Sequence, residues 1–151
     1  MRPSWQAETV PLQLDIVTPE RLAYSDEVDS VVLPGSEGEL GVLPHHAPLV
    51  STLGVGELRI RVGGQEEWFA IVGGFVQVLP DKVVVMAETA DMASEIDLEK
   101  AAEARRNAER ALESGYHEGV DLSAARASLQ TALLRERVAQ RRHREGTRHR
   151  G

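Results

Sequence analysis

From Leu12 the chain alternates, with Leu12, Leu14 and Ile16 on one side and Gln13 and Asp15 on the other. That is the two-residue period of a strand with one buried face. It predicts a strand over 12–18, ended by a turn at Pro19-Glu20-Arg21. A short Leu22-Ala23-Tyr24 and an acidic Ser25-Asp26-Glu27 follow, then a β-rich run from Val28 to Leu33 that Pro34-Gly35 stops. Alternation returns at Glu57–Val62, placing Leu58, Ile60 and Val62 inward and Glu57, Arg59 and Arg61 outward. Gly63-Gly64 is a two-residue hairpin turn, and Trp68–Val72 is the returning strand. Gly73-Gly74 predicts a bulge or sharp bend, since glycine alone takes the needed dihedral angles at little cost. Phe75–Leu79 and Val83–Ala87, parted by Pro80-Asp81-Lys82, complete a series of short strands. Turns every ~8 to 12 residues indicate an antiparallel sandwich or barrel.

Near Ala90 the period changes. Alanine, glutamate and arginine replace glycine and the β-branched residues. Asp97 is an N-cap with Glu99 in the first turn, and Leu98, Ala101, Ala102, Arg105, Ala108 and Leu112 recur at helical spacing until Ser114-Gly115 ends the run. After a loop over 116–120, a second cap at Asp121 opens a stripe of Leu122, Ala125, Leu129, Leu133 and Val138, ending in Arg141-Arg142-His143-Arg144. The fold class is therefore an all-β sandwich or barrel followed by an antiparallel two-helix hairpin, with domains at 1–90 and 91–145 and a disordered tail at 146–151. Each alanine buries only ~1 kcal/mol of methyl, against ~1 to 2 kcal/mol per ordered residue, so the hairpin needs a surface to dock on and could exchange one for another.

Between these regular stretches, Gly35–Leu53 mixes three glycines (Gly35, Gly38, Gly41), two prolines and the pair His45-His46 into an otherwise apolar run. Turn-formers at that density describe a shaped surface loop on a rigid scaffold.

Charge divides the molecule in the same place as the period. Residues 1–94 carry five Lys and Arg against 14 Asp and Glu, whereas from Arg126 onward eight arginines face two glutamates. An acidic body with a basic end suits different partners at its two ends. The absence of cysteine excludes disulfides and thiol chemistry. Residues 1–6 lack a signal-peptide pattern and no window has the apolar length of a membrane span, so a cytoplasmic, soluble protein is expected.

Chemistry is sparse. There is no phosphate-cradling glycine loop, no zinc spacing and no nucleophile elbow. His45 and His46 are neighbours that an extended backbone points apart, with no third ligand at a suggestive spacing, so no metal is expected. Glu39 and His46 have the types of an acid/base pair, but nothing nearby supplies a nucleophile, which favours a polar interface and no enzymatic activity. The arginine-rich end reads as a solvated terminus or as a surface for an acidic protein. Without aromatics after Tyr116 it is a poor nucleic-acid binder. Ile96-Asp97-Leu98-Glu99-Lys100-Ala101 is a helix cap, and a helix N-terminus beside a cation can also hold a phosphate.

Taken together, these motifs resemble the epsilon subunit of the bacterial F-type ATP synthase over nearly the whole length, about Leu12 to Arg142. The resemblance rests on Val17-Thr18-Pro19, Gly38-Glu39-Leu40-Gly41-Val42-Leu43-Pro44, His46-Ala47-Pro48-Leu49, Gly73-Gly74-Phe75-Val76-Gln77-Val78 with Val83–Ala87, and Ile96-Asp97, in that order. It implies a central-stalk rotor subunit on the cytoplasmic face of the membrane, coupling proton flow to ATP synthesis. Its partners would be the gamma subunit, the ring of c subunits and the catalytic beta subunit, with contact to the membrane only through the complex.

By the same resemblance Glu39, Gly41 and His46 would touch the ring. Arg135, Arg137, Arg141 and Arg142 would meet an acidic segment of the beta subunit when the hairpin extends, restraining ATP hydrolysis. Ile96, Asp97, Lys100 and Ala101 would outline a regulatory ATP site. Four residues depart from the pattern: His45 where the family usually has glycine, Lys100 where ATP-binding members carry arginine, and Asn107 and Thr131 at further arginine positions. The alternative from another class is a free-standing β-sandwich module binding a protein or a carbohydrate, the latter disfavoured by a total of six aromatic residues.

Overall fold

A computed structural model describes residues 11–119 and 121–148, without the side chains of 117 and 142–148. The chain divides into two units between Ala90 and Asp91. The first is built from β1 (Leu12–Val17), β2 (Leu22–Val28), β3 (Ser30–Gly35), β4 (Gly38–Val42), β5 (Leu49–Thr52), β6 (Val55–Val62), β7 (Gln65–Val78) and β8 (Lys82–Met92), the last crossing into the second unit. The hydrogen-bonded order is β2-β1-β8-β7-β6-β3-β4, with β5 on β7. The expected antiparallel pattern has one exception, since β1 and β8 run parallel from Gln13/Lys82 to Val17/Met86. These strands lie at opposite ends of the sandwich sequence, so no hairpin dictates their direction.

The alternating positions form the core: Leu12, Leu14, Ile16, Leu58, Ile60, Phe69, Ile71, Val83 and Val85 are fully buried. Val62, expected inward, is 37% exposed because the strand ends there at the turn. Gly63 and Gly64, with φ of 59° and 81°, make that turn, and β6 pairs with β7 from Val62/Gln65 to Val55/Val72. At Gly73-Gly74 β7 bends and changes partner, so that Phe75–Val78 pairs with β5. Gly74 has φ 113°, and a Cβ there would collide with the carbonyl oxygen of Met86 on β8. The glycine is required both by its dihedral and by the close approach, and the bend lets one strand serve both layers.

Several elements differ from expectation. The acidic Ser25-Asp26-Glu27 does not interrupt β2 but pairs with β1, because an edge strand exposed on both sides can carry charge throughout. The stretch 35–53, expected as one loop, contains β4 and β5. β8 extends past Ala87 to Met92.

In the second unit a 3-10 turn (Ala93–Glu95) precedes α1 (Leu98–Glu118) and α2 (Ser123–Arg148). The Asp97 carboxylate caps α1 by accepting from the Lys100 N–H at 3.2 Å. Gly115 does not end α1. It is buried within the helix, and a Cβ there would lie 2.5 Å from Leu122 Cδ2, so the glycine lets the chain fold back closely. Gly119, left-handed at φ 69°, terminates α1 instead. Asp121 opens α2 by accepting from the Ser123 hydroxyl at 2.7 Å and backbone N–H at 2.9 Å, which hold its carboxyl below the usual range. α2 runs through 146–148, where a tail was expected, since Gly146 alone does not break it. Residues 149–151 of that tail lie outside the described residues.

Candidate functional site

Two candidate surfaces exist, one in each unit. In the first, the β3–β4 hairpin pairs Leu33 with Leu40 and Pro34 with Glu39. Leu40 and Val42 turn inward, so the two-residue period puts Glu39 and Gly41 together on the outer face. Gly41 has no positive φ, and a Cβ there would meet nothing within 4 Å. No internal packing or backbone demand explains that glycine, which leaves a bare spot on the surface beside an exposed carboxylate.

Beyond β4 the chain turns at Pro44-His45. His45 adopts φ 68°, the one non-glycine positive φ among the described residues, and its N–H donates to the Pro80 carbonyl at 2.7 Å. A glycine would take this conformation freely, whereas a side chain strains it. The hydrogen bond ties the turn to the β7–β8 connection and stiffens the whole edge. His46 is half-buried, with Nδ1 2.8 Å from the Ala47 carbonyl oxygen, so the imidazole faces its own backbone and forms no acid/base pair with Glu39.

Sequence reasoning passed over the apolar residues around this edge. Leu43 is 63% exposed, Val50 71% and Phe75 44%. Strand phase could have found two of them. Leu53 and Val76 point in, which forces Val50 on β5 and Phe75 on β7 outward, and register sets each diagonal to the other. Exposed apolar side chains clustered beside a carboxylate are the composition of a protein contact.

The second surface is a groove between α1 and α2 of roughly 730 Å³, lined by Asp97, Lys100 and Ala101 on one side and Thr131, Ala132 and Arg135 on the other. Three of the four residues expected at a nucleotide site therefore meet there, but Ile96 is buried beside the groove and does not line it. Glu95 adds a second carboxylate to the lining. The positive charges are Lys100 and Arg135, and Arg135 Nη1 is already 3.2 Å from Asp91 Oδ2. Asn107 donates no charge and has its amide oxygen engaged by Arg110.

Of the four arginines expected to face a partner, Arg135 holds this ion pair, while Arg137 is exposed and Arg141 half-buried. At about 100° per residue, Arg137 and Arg141 share one side of α2 and Arg135 lies on another. The Arg142 side chain lies outside the described residues. Among the described residues no group of three or more His, Asp and Glu is arranged to hold a metal.

Comparison with known proteins covers both units. The family model described as ATP synthase, Delta/Epsilon chain, beta-sandwich domain matches residues 11–93, and that of the long alpha-helix domain matches residues 94–140. The chain is similar to the ATP synthase epsilon chain of Dehalococcoides mccartyi, with 47% identity over 131 residues, 87% of this chain and 94% of that one. It is likewise similar to the epsilon chain of Syntrophobacter fumaroxidans, with 48% identity over 130 residues, 86% of this chain and 96% of that one. Among solved structures, a chain of the Euglena gracilis mitochondrial ATP synthase (OSCP/F1/c-ring, rotational state 1) resembles it with TM-score 0.68 and 27% identity, over 87% of this chain and 80% of that one.

Proposed function

Since the chain belongs to the ATP synthase epsilon-chain family and so to the central stalk of that enzyme, we propose that it is a non-catalytic rotor subunit standing on the ring of c subunits. In this reading it is clamped to a gamma subunit, on the cytoplasmic face of a bacterial membrane, and its helical pair restrains ATP hydrolysis. The supporting observation is the outward pairing of Glu39 with a glycine that nothing inside the protein requires, on a hairpin edge stiffened through Pro80. A rotor must transmit torque without yielding, and backbone hydrogen bonding, not side-chain chemistry, supplies that stiffness.

The mechanism follows from the two surfaces. Proton-driven turning of the ring is passed through Glu39, Gly41 and His46 to the sandwich, and thence to gamma. The helical pair is bistable: folded, it leaves catalysis free; extended, it presents Arg135, Arg137, Arg141 and Arg142, on more than one side of α2, to acidic surfaces of the beta subunit. A preference of a few kcal/mol between two such states shifts with modest differential contacts. Removing the residues after Gly119, which leaves α1 capped, should raise ATP hydrolysis by the assembled enzyme severalfold. Unchanged hydrolysis would rule out the restraint. Joint substitution of Glu39→Gln and His46→Ala should uncouple hydrolysis from proton pumping in membrane vesicles, and full coupling would remove the foot from the ring.

The groove takes ATP weakly in this reading. Lys100 is a point charge without the planar fork of arginine, and the lining sets Lys100 and Arg135 against Glu95 and Asp97, a nearly neutral balance for a triphosphate. Titration calorimetry on the isolated chain should therefore show no saturation at micromolar ATP, and tight binding would overturn the assignment.

A further inference from the structure

Adjacent residues of α2, Arg135 and Glu136, are held by opposite charges from two different elements. Arg135 Nη1 lies 3.2 Å from Asp91 Oδ2, at the end of β8, and Glu136 Oε2 accepts from Arg105 Nε of α1 at 2.7 Å. Arg105 also reaches Glu109 at 3.1 Å, one turn further along α1. The Glu136 side chain is 19% exposed and Asp91 25%, so both carboxylates are largely withdrawn from water. The packing around them is thin: among the described residues the buried apolar side chains of α1 are Ala101 and Ala108, and those of α2 are Ala132, Leu134, Val138 and Ala139. With so little apolar area at the contact, ion pairs add measurably to what keeps α2 folded back.

Asp91 sits at the boundary between the units. The residue before it, Ala90, belongs to the sandwich unit and has its carbonyl oxygen 3.1 Å from Arg21 Nη2 of the β1–β2 turn. The partner of Arg135 thus follows directly in the chain on a residue that is hydrogen-bonded within the first unit.

Resting on the mobile helical pair described above, we propose that Asp91–Arg135 and Arg105–Glu136 form an electrostatic latch that keeps α2 folded and withholds Arg135 from an acidic partner surface. Asp91 imitates the partner's carboxylate, so the same guanidinium is occupied in the folded state and available in the extended one. Ligand-free control follows, because the balance depends on two competing carboxylate surfaces and requires nothing bound in the groove.

Amide hydrogen exchange on the full chain tests the latch directly. Asp91→Asn should speed exchange in α2 about two- to fivefold, the scale of a partly exposed ion pair, with sandwich amides unchanged as the folding control. Glu136→Gln should do so more strongly, because its contact is shorter and better shielded. Arg135→Asp alone should also loosen α2, and joined to Asp91→Arg it should restore protection. In the assembled enzyme Asp91→Asn should deepen inhibition, lowering ATP hydrolysis about two- to fivefold, whereas the charge-swapped pair should stay folded without inhibiting. Exchange that is the same in the wild type, Asp91→Asn and the swapped pair would overturn the latch. Hydrolysis that ignores removal of α2 would overturn the restraint by the helical pair while leaving the exchange result to decide the latch.

Discussion

The two units are held together by different means. The sandwich buries large branched and aromatic side chains completely, with Leu12, Leu14, Ile16, Leu33, Leu58, Ile60, Phe69 and Ile71 at 0% exposure. The helical pair buries mainly alanine methyls, and adds an ion pair between the helices and another from α2 to Asp91. A buried Leu, Ile or Phe is worth ~1.5 to 3 kcal/mol and an alanine methyl ~1 kcal/mol or less, so the sandwich has stability to spare and the helices do not. One unit is suited to transmitting force and the other to changing state, and the difference is already present in which apolar residues each uses.

The largest expected effect breaks the sandwich. Phe69 is fully buried and meets Tyr24 edge-on, with ring centroids 5.4 Å apart at 76°. Phe69→Ala should cost ~3 to 5 kcal/mol in chemical denaturation, removing both the buried area and the aromatic contact. A loss under ~1 kcal/mol would mean that this core is no better packed than the helical pair, and the contrast would fail.

In the helices the counterpart is Ala108, nearly buried on α1. Ala108→Gly should cost ~1 kcal/mol from propensity and a further fraction from the lost methyl. The loss should appear as faster exchange in the helices while the sandwich midpoint stays in place. A sandwich that loosens equally would show that the units unfold as one.

Acid provides a third separation. Hydrogen bonds from Gln13 and Ser25, with the Lys82 ammonium 3.3 Å away, hold the Asp15 carboxyl below its ordinary value. A depressed folded-state pKa contributes stability that is present above the unfolded value, about 3.9, and lost as pH falls through the folded value. Asp15→Asn should therefore flatten the acid loss of sandwich stability below about pH 4 and leave the helical exchange rates unchanged. An acid limb as steep as that of the wild type would assign the loss to other carboxylates.

Much of this was legible from the periods of the sequence, and the rest was hidden for identifiable reasons. β1, β6 and the Gly73-Gly74 bend could be read because one face of each strand is buried. β2 could not, because its exposure on both sides removes the alternation and leaves Ser25-Asp26-Glu27 as an acidic stretch with no strand pattern. Gly115 reads as a stop from neighbours alone, since only the return of Leu122 shows that the helix continues past it. Glu39 and Gly41 were marked by the family resemblance, but Leu43, Val50 and Phe75 became visible only when strand phase was fixed. The pairing of Asp91 with Arg135 spans 44 positions of sequence and has no local signature.

The smallest effect sharpens the comparison at the stiff edge itself. His45 sits at φ 68°, where a side chain costs about 1 to 2 kcal/mol, less for histidine than for a branched residue. Glycine removes that cost but adds unfolded-state freedom worth ~0.5 to 1 kcal/mol, so His45→Gly should stabilise the sandwich by only ~0.5 kcal/mol, seen as a higher denaturant midpoint at unchanged slope. The hydrogen bond from residue 45 to Pro80 is made by the backbone and survives the change, so the edge should stay stiff and proton coupling intact. If stability rises but coupling falls, the imidazole itself belongs to the contact, and the strain at His45 is tolerated because the side chain is used there.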